Sequence, residues 1–381
     1  VPGLTAASLP RFPPAPLAKT AAASISRVYW RAVSGCLLAA FPHRVDMRIG
    51  AVLLLLLGVA LATALVLYYG FGAVAAAILS MGWGLAVIVG LHVLPVVVAA
   101  FAWSALLGRR WSPRPTVVVV QRWIREAINN LLPLARLGGD VVAVRLLVLW
   151  GGRVHLASAS MVADRTVEVF TQVVLAFAGV ALLWGGEQDP HLARLLIMGL
   201  LVLLVCVVAF VIAQHRGLLR LLEKALIRLG NVSSAAGGAL SAERVAGIHD
   251  AVWAIYGARR RVALAALLHT LSWLLGAAET WLALRFMGHP VSAADAFILE
   301  ALAQAVASAG FFLPASLGAQ EAGYMVVGTM LGVPAQAGLA LSLVKRGSDI
   351  ALGLPGLLAW QAIEGKRLWL RWAAKRRATS C

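Results

Sequence analysis

Charge is what this sequence has least of. Asp, Glu, Lys and Arg supply 13% of its 381 residues, against roughly 25% in a soluble globular chain. That is too little to cover a water-facing surface of this size. With 61% hydrophobic residues and a mean hydropathy of +0.87, a soluble enzyme, a secreted disulfide scaffold and a disordered chain are excluded. The chain reads as an integral membrane protein. Cysteine is also scarce: Cys36, Cys206 and Cys381 lie far apart, form no CxxC pair and support neither a disulfide framework nor a metal centre. Catalytic signatures are missing. No HExxH, GxSxG, Walker A or GxGxxG run occurs and the histidines lack ligand spacing, so no cofactor and no metal are expected. Acids are outnumbered, 16 against 33 Lys and Arg, which leaves +17. In a soluble chain that excess would suggest nucleic acid. Here no basic module interleaved with aromatics occurs, and cations collect on the cytoplasmic loops of membrane proteins whatever their task. Nucleic acid is not an expected partner.

What the chain does have is a series of apolar runs. A spanning helix needs about 20 mostly apolar residues. Residues 49–69, 83–107, 157–184, 194–213, 262–286 and 338–363 meet that requirement. Arg109, Arg110 and Arg114 follow the second run, and a basic stretch from Arg216 to Arg261 follows the fourth. The connector 185–193 instead carries Glu187 and Asp189 and no cation. This alternation places both termini in the cytoplasm. Residues 1–46, ahead of Met47-Arg48, have no apolar core of signal-peptide type and are expected to be a disordered cytoplasmic tail or an over-extended start. Residues 47–365 form the transmembrane domain, interrupted by a cytoplasmic loop at 214–261, and 366–381 form a basic cytoplasmic tail. Within the loop, 218–229 sets Arg220, Glu223, Lys224 and Arg228 on one helical face and leucines with Ile227 on the other. That pattern suits a helix lying along the cytoplasmic leaflet, or an ordinary juxtamembrane helix.

Two apolar segments, 115–150 and 294–334, are broken halfway by Pro and Gly. Proline removes a helical hydrogen bond, and non-helical backbone at membrane depth is tolerated only beside protein or a water-filled cavity. Both segments are therefore expected to be re-entrant hairpins lining a site. Their breaks run alike: Leu132-Pro133, then Leu137-Gly138-Gly139-Asp140; and Leu313-Pro314, then Leu317-Gly318 and Glu321. Entering from opposite sides, they have the arrangement of inverted repeats in transporters; the alternative is coincidence among common residues. Pro133, Gly138, Gly139, Pro314 and Gly318 are the expected backbone breaks, the glycines admitting close approach of a headgroup. The expectation is that Asp140 and Glu321 face the shared cavity.

Ionisable groups at membrane depth need partners, water or a task. Arg125, Glu126 and Asn129 precede the first break, with Asn130 beside them; Asp140 and Arg145 follow it. Asp164, Arg165 and Glu168 open the third run. The C-terminal half holds Glu279, Glu300, Gln304, Gln320 and Glu321, then Lys345, Arg346 and Asp349 inside an apolar run. There Asp349 is placed to pair with Lys345 or Arg346. These residues form either a substrate-binding set or a set of ion pairs orienting helices. His92 and His269 read as interhelical hydrogen-bonding groups.

The block Arg125-Glu126, Asn129, Leu132-Pro133, Gly138-Gly139-Asp140 and Arg145 resembles the first conserved block of the flippase-like, lysylphosphatidylglycerol-synthase transmembrane family. Asp164-Arg165 with Glu168 resembles its second. Phe311-Phe312-Leu313-Pro314, Leu317-Gly318, Gln320-Glu321-Ala322-Gly323 and Leu341 to Arg346 resemble its C-terminal block. Leu354-Pro355-Gly356-Leu357-Leu358-Ala359-Trp360-Gln361 is similar to the branch named for association with hopanoid biosynthesis. Where the family has Pro-Gly before its Leu-Gly, this chain has Pro314-Ala315-Ser316.

The resemblance implies an all-α polytopic membrane protein, six spanning helices plus two re-entrant hairpins, in a bacterial inner membrane. It implies a flippase moving a polar-headed lipid, of hopanoid or phospholipid type, between leaflets. Its partners would be membrane lipids and lipid-biosynthesis enzymes. The fused synthases carry a soluble aminoacyl-transferase domain after the membrane part. This sequence ends soon after its last run, so aminoacyl transfer is not expected of it. The competing readings are a membrane-embedded lipid-modifying enzyme, using the same acids for proton transfer, and a scaffold for lipid-synthesis enzymes.

Overall fold

In a computed structural model the described residues are 71–108, 113–132, 138–184, 201, 205, 242–309 and 318–379. They form helices and connecting turns: α1 (Phe71–Leu79), α2 (Gly84–Leu91), α3 (Val93–Leu107), α4 (Pro115–Leu131), α5 (Gly138–Leu149), α6 (Val154–Trp184), α7 (Ala242–Gly257), α8 (Arg259–Phe286), α9 (Ala293–Ala309), α10 (Ala319–Met330) and α11 (Ala335–Thr379). The protein is an all-α polytopic membrane protein. Gly84–Leu107, Val154–Leu183 and Arg259–Phe286 are long and apolar enough to cross a bilayer. They meet the expected runs at 83–107, 157–184 and 262–286. The first bends through a single turn residue, His92, between α2 and α3. The run at 338–363 lies within α11, which is 45 residues long; Lys345, Arg346 and Asp349 make it less apolar than the other three. This helix passes through Pro355 and continues to Thr379, so no break separates the expected domain from its tail. The run at 49–69, the tail 1–46 and the amphipathic stretch 218–229 lie outside the described residues, as does the run at 194–213 apart from Leu201 and Val205.

Both broken segments are interrupted as expected. Pro115 sits at the first position of α4, where its missing N–H costs nothing. At the other end Leu132 is extended, φ −102° and ψ 139°, as the residue ahead of a proline is driven to be. α5 resumes at Gly138 and packs back on α4. In the second segment α10 packs back on α9. Gly318 caps α10 at φ +82°, a conformation that costs an L residue, and its N–H donates to Glu321 Oε2 at 2.7 Å. Pro133 and Pro314 themselves lie outside the described residues.

The element order repeats. A spanning helix, a helix pair and a long helix occur once as α3, α4–α5, α6 and again as α8, α9–α10, α11. The packing is reciprocal: α3 lies against α8, α4 against the long helix α11 of the other half, and α9 against the long helix α6. One apolar core joins α1, α2, α6, α8, α9, α10 and α11 through Ile88, Leu284, Leu299, Leu302, Tyr324 and Leu341. A second holds the first half together through Ala100, Trp103, Val118, Ala143, Leu147 and Met161. The outward faces, among them Trp83, Phe101, Leu267 and Leu358, are exposed and apolar, as lipid contact requires.

Candidate functional site: a charged cavity between the two halves

The repeat extends to the ionic groups. Asp164, Arg165 and Glu168 on α6 stand at the same spacing as Lys345, Arg346 and Asp349 on α11. In each half the middle arginine reaches the acid on the second helix of its own pair. Arg165 Nε meets Asp140 Oδ2 at 2.9 Å, and Arg346 Nη2 meets Glu321 Oε1 at 2.7 Å. The first member of each trio crosses to the first helix of the pair, with opposite sign in the two halves. Asp164 accepts from Arg122 at 3.3 Å and Arg125 at 2.8 Å on α4, whereas Lys345 Nζ lies 2.8 Å from Glu300 on α9. The third member closes the set. Glu168 meets Arg122, Arg125 and Arg165, the last at 3.0 Å; Asp349 meets His92 at 3.3 Å and Asn130 at 2.7 Å.

Arg125 is the pivot of the first half. Its side chain is fully buried and contacts Asp140 at 2.6 Å, Asp164 at 2.8 Å and Glu168 at 3.2 Å. A guanidinium's fixed fork of donors permits one cation to serve three carboxylates. In the second half Glu300 collects Lys345, Thr280 and Tyr324. His269 Nε2 donates to Asp164 at 3.0 Å, and His92 Nδ1 lies 3.0 Å from Glu279. Burial of so many charges is tolerable because most of them stand within ion-pair distance of an opposite charge.

Between the halves lies a cavity of about 430 Å³ walled by α3, α4, α6, α8, α9, α10 and α11, within the roughly 300–1,000 Å³ usual for small-molecule sites. Of the residues singled out from the sequence, Glu126, Arg165, Glu168, Glu300, Gln304, Gln320, Lys345 and Asp349 line it. Arg125, Asn129, Asp140, Asp164, Glu321 and Arg346 stand outside that lining, holding the lining residues or the backbone. Arg145 is elsewhere, bound to Glu364 at 2.6 and 2.9 Å.

Three expectations are corrected. Asp140 and Glu321 do not line the cavity; Asp140 is held by Arg125 and Arg165 and Glu321 by Arg346, because a buried carboxylate is costly unless paired. Asp349 binds His92 and Asn130, since Lys345 is drawn to Glu300 and Arg346 to Glu321. Gly139 serves helix packing and Gly318 the start of α10. A Cβ on Gly139 would strike the Arg125 carbonyl and the Asn129 side chain, and the Gly139 N–H donates to Asn129 Oδ1 at 2.8 Å.

Several lining residues escaped the sequence reading. Arg122 was detectable, being three residues before Arg125 and four before Glu126 on one helical face, and it contacts Glu126 at 2.8 Å. His92 and His269 do bond between helices, and they also line the cavity. Trp123 and Trp273 carried no signal beyond apolarity. Trp123 donates to the Leu352 carbonyl at 2.7 Å, tying α4 to α11. The buried Trp273 Nε1 has no hydrogen-bond partner among the described residues and lies in the cavity wall. Among the described residues no group of His, Cys, Asp and Glu is arranged to hold a metal ion.

The family described as lysylphosphatidylglycerol synthase TM region matches residues 55–356 of the chain. No curated protein and no solved structure matches it.

Proposed function

The chain belongs to the lysylphosphatidylglycerol synthase TM-region family, and from that premise we propose that it moves a polar-headed lipid between the leaflets of a bacterial inner membrane, with both termini cytoplasmic. The headgroup, of phospholipid or hopanoid type, passes through the cavity between the halves while the acyl or ring portion stays in lipid. The observation that carries this reading is a 430 Å³ cavity walled by charged and amide groups inside a bundle whose outer faces are apolar. A cavity of that character has no use for an apolar cargo, and it removes the main barrier to crossing, the desolvation of a headgroup. Arginines at one end match phosphate or polyol oxygens, and carboxylates at the other match hydroxyl or amine donors. Lipid-synthesis enzymes on the cytoplasmic side would supply the cargo.

Purified protein in liposomes tests the proposal. Headgroup-labelled phospholipid or polyol lipid in the inner leaflet should become accessible to a membrane-impermeant quencher faster than in empty liposomes. Glu126→Gln, which alters a half-buried cavity wall without touching the Arg125 pivot, should slow that appearance while the protein remains folded. Mass spectrometry should return the same lipid species that went in. Equal rates with and without protein for every lipid tried would remove the basis of the proposal.

A further inference from the structure

The strongest unassigned feature is the setting of His92. It occupies the turn between α2 and α3, and both of its ring nitrogens face carboxylates from other helices. Nδ1 lies 3.1 and 3.0 Å from the two oxygens of Glu279 on α8, and Nε2 lies 3.3 Å from Asp349 Oδ1 on α11. A neutral imidazole has one N–H and one lone pair. It can satisfy one of these acids but would turn its lone pair on the other. The observed contacts therefore require one proton beyond those of a neutral ring and two carboxylates, on the second ring nitrogen or on a carboxyl oxygen. No such requirement falls on His269, whose contact to Asp164 involves one nitrogen.

The surroundings hold that proton in an exchangeable place. His92 and Asp349 line the cavity and their side chains are each 20% exposed, whereas Glu279 is 1% exposed. Asn130 of α4 donates to Asp349 at 2.7 Å, which fixes the carboxylate toward the ring. Lys345 of α11 is the nearest fixed cation, 3.9 Å from Glu279, and it is engaged by Glu300 of α9 at 2.8 Å. Glu126 of α4 and the pair Arg165 and Glu168 of α6 share the same cavity. In this half four carboxylates, Glu279, Glu300, Glu321 and Asp349, stand against two cations, Lys345 and Arg346, the latter held by Glu321. The other half sets three arginines, Arg122, Arg125 and Arg165, against four acids, a smaller excess. The acid excess beside His92 is where a mobile positive charge belongs.

We propose that the His92–Glu279–Asp349 trio binds a proton that is exchanged during lipid movement, making this the coupling site of the transport reading on which it rests. With the proton bound, one imidazole links α8 to α11 across the cavity. On release the proton passes to cavity water, leaving a neutral ring that donates to one acid and an Asp349 held by Asn130. α8 and α11 are otherwise joined across the cavity by Lys345, through Glu279 and through the Gly276 carbonyl at 3.3 Å. Loss of one proton thus weakens the hold of His92, at the start of the first half, on α8 and α11 of the second, beside the cavity.

The test has two arms on the full chain. In detergent micelles, nitrogen-15 NMR of histidine-labelled protein should show one ring protonated on both nitrogens at neutral pH and losing that proton when the pH is raised. His92→Gln should abolish that signal. Glu279→Gln, which removes one acid and keeps the ring, should lower its midpoint by at least about one pH unit, a tenfold change in proton affinity. In liposomes, an imposed pH gradient should change the rate of labelled-headgroup movement severalfold in the native protein and leave Glu279→Gln unaffected. Absence of a titrating His92 signal overturns the proton site whether or not lipid moves. A signal with gradient-insensitive movement overturns the coupling. A signal with no lipid movement at all upholds the proton site and counts against transport itself.

Discussion

Replacing Arg125 by methionine removes a fully buried cation and leaves its shape largely filled. The native guanidinium binds Asp140, Asp164 and Glu168 on two other helices. After the substitution Glu126, Asp140, Asp164 and Glu168 face only Arg122 and Arg165. Asp164, fully buried, retains Arg122 at 3.3 Å and His269 at 3.0 Å but loses its shorter partner. Breaking a buried ion pair by removing one member costs about 3–5 kcal/mol, because the orphaned charge stays desolvated. The residual arginines place the expected loss toward the low end, about 3 kcal/mol. Asp164→Asn in the Arg125→Met background removes the orphan, so the double variant should be more stable than the sum of the two single losses, by about 1–3 kcal/mol. Reversible unfolding in mixed detergent micelles, followed by tryptophan fluorescence, measures all four proteins. Strict additivity, or a loss below about 1 kcal/mol for Arg125→Met, would refute the claim that this cluster ties α4 to α5 and α6.

Gly139→Ala should destabilise by about 1–3 kcal/mol in the same assay, since its Cβ has no space beneath the Arg125 carbonyl and the α4–α5 pair must spread. Gly318→Ala places an L residue at φ +82° and should cost about 1–2 kcal/mol, with hydrogen exchange rising in the first turn of α10 before elsewhere. Arg145→Ala removes the partly exposed pair with Glu364 and should cost no more than about 1 kcal/mol. It should leave headgroup movement at the native rate, because Arg145 lies away from the cavity; a transport defect in a folded Arg145→Ala protein would place the substrate path elsewhere.

The ionic residues and the two breaks were legible because each violates a local rule. A charge inside an apolar run and a Pro-Gly interruption of a hydrophobic segment are both costly, so they announce a function or a compensating partner. Leu132 turned extended ahead of Pro133, and Gly318 took the positive φ that only glycine adopts cheaply. Arg122 was equally visible by spacing. Trp123 and Trp273 were not, because nothing in an apolar helix marks which face borders a cavity. The roles of Asp140 and Glu321 were misread because proximity to a break in sequence does not fix which side of the helix an acid occupies.

Sequence alone determined that the chain is an all-α membrane protein, since composition and run length fix whether a segment prefers lipid, and that two of its segments are broken. It also carried the matched spacing of Asp164, Arg165, Glu168 and Lys345, Arg346, Asp349. Only the tertiary structure decided who pairs with whom. An acid within reach of several cations chooses by the geometry of helices far apart in the chain, as His92 does with Glu279 and Asp349, 187 and 257 residues away. The cavity has the same origin: it is the space left where α3, α4, α6, α8, α9, α10 and α11 meet, and no one of them encodes it.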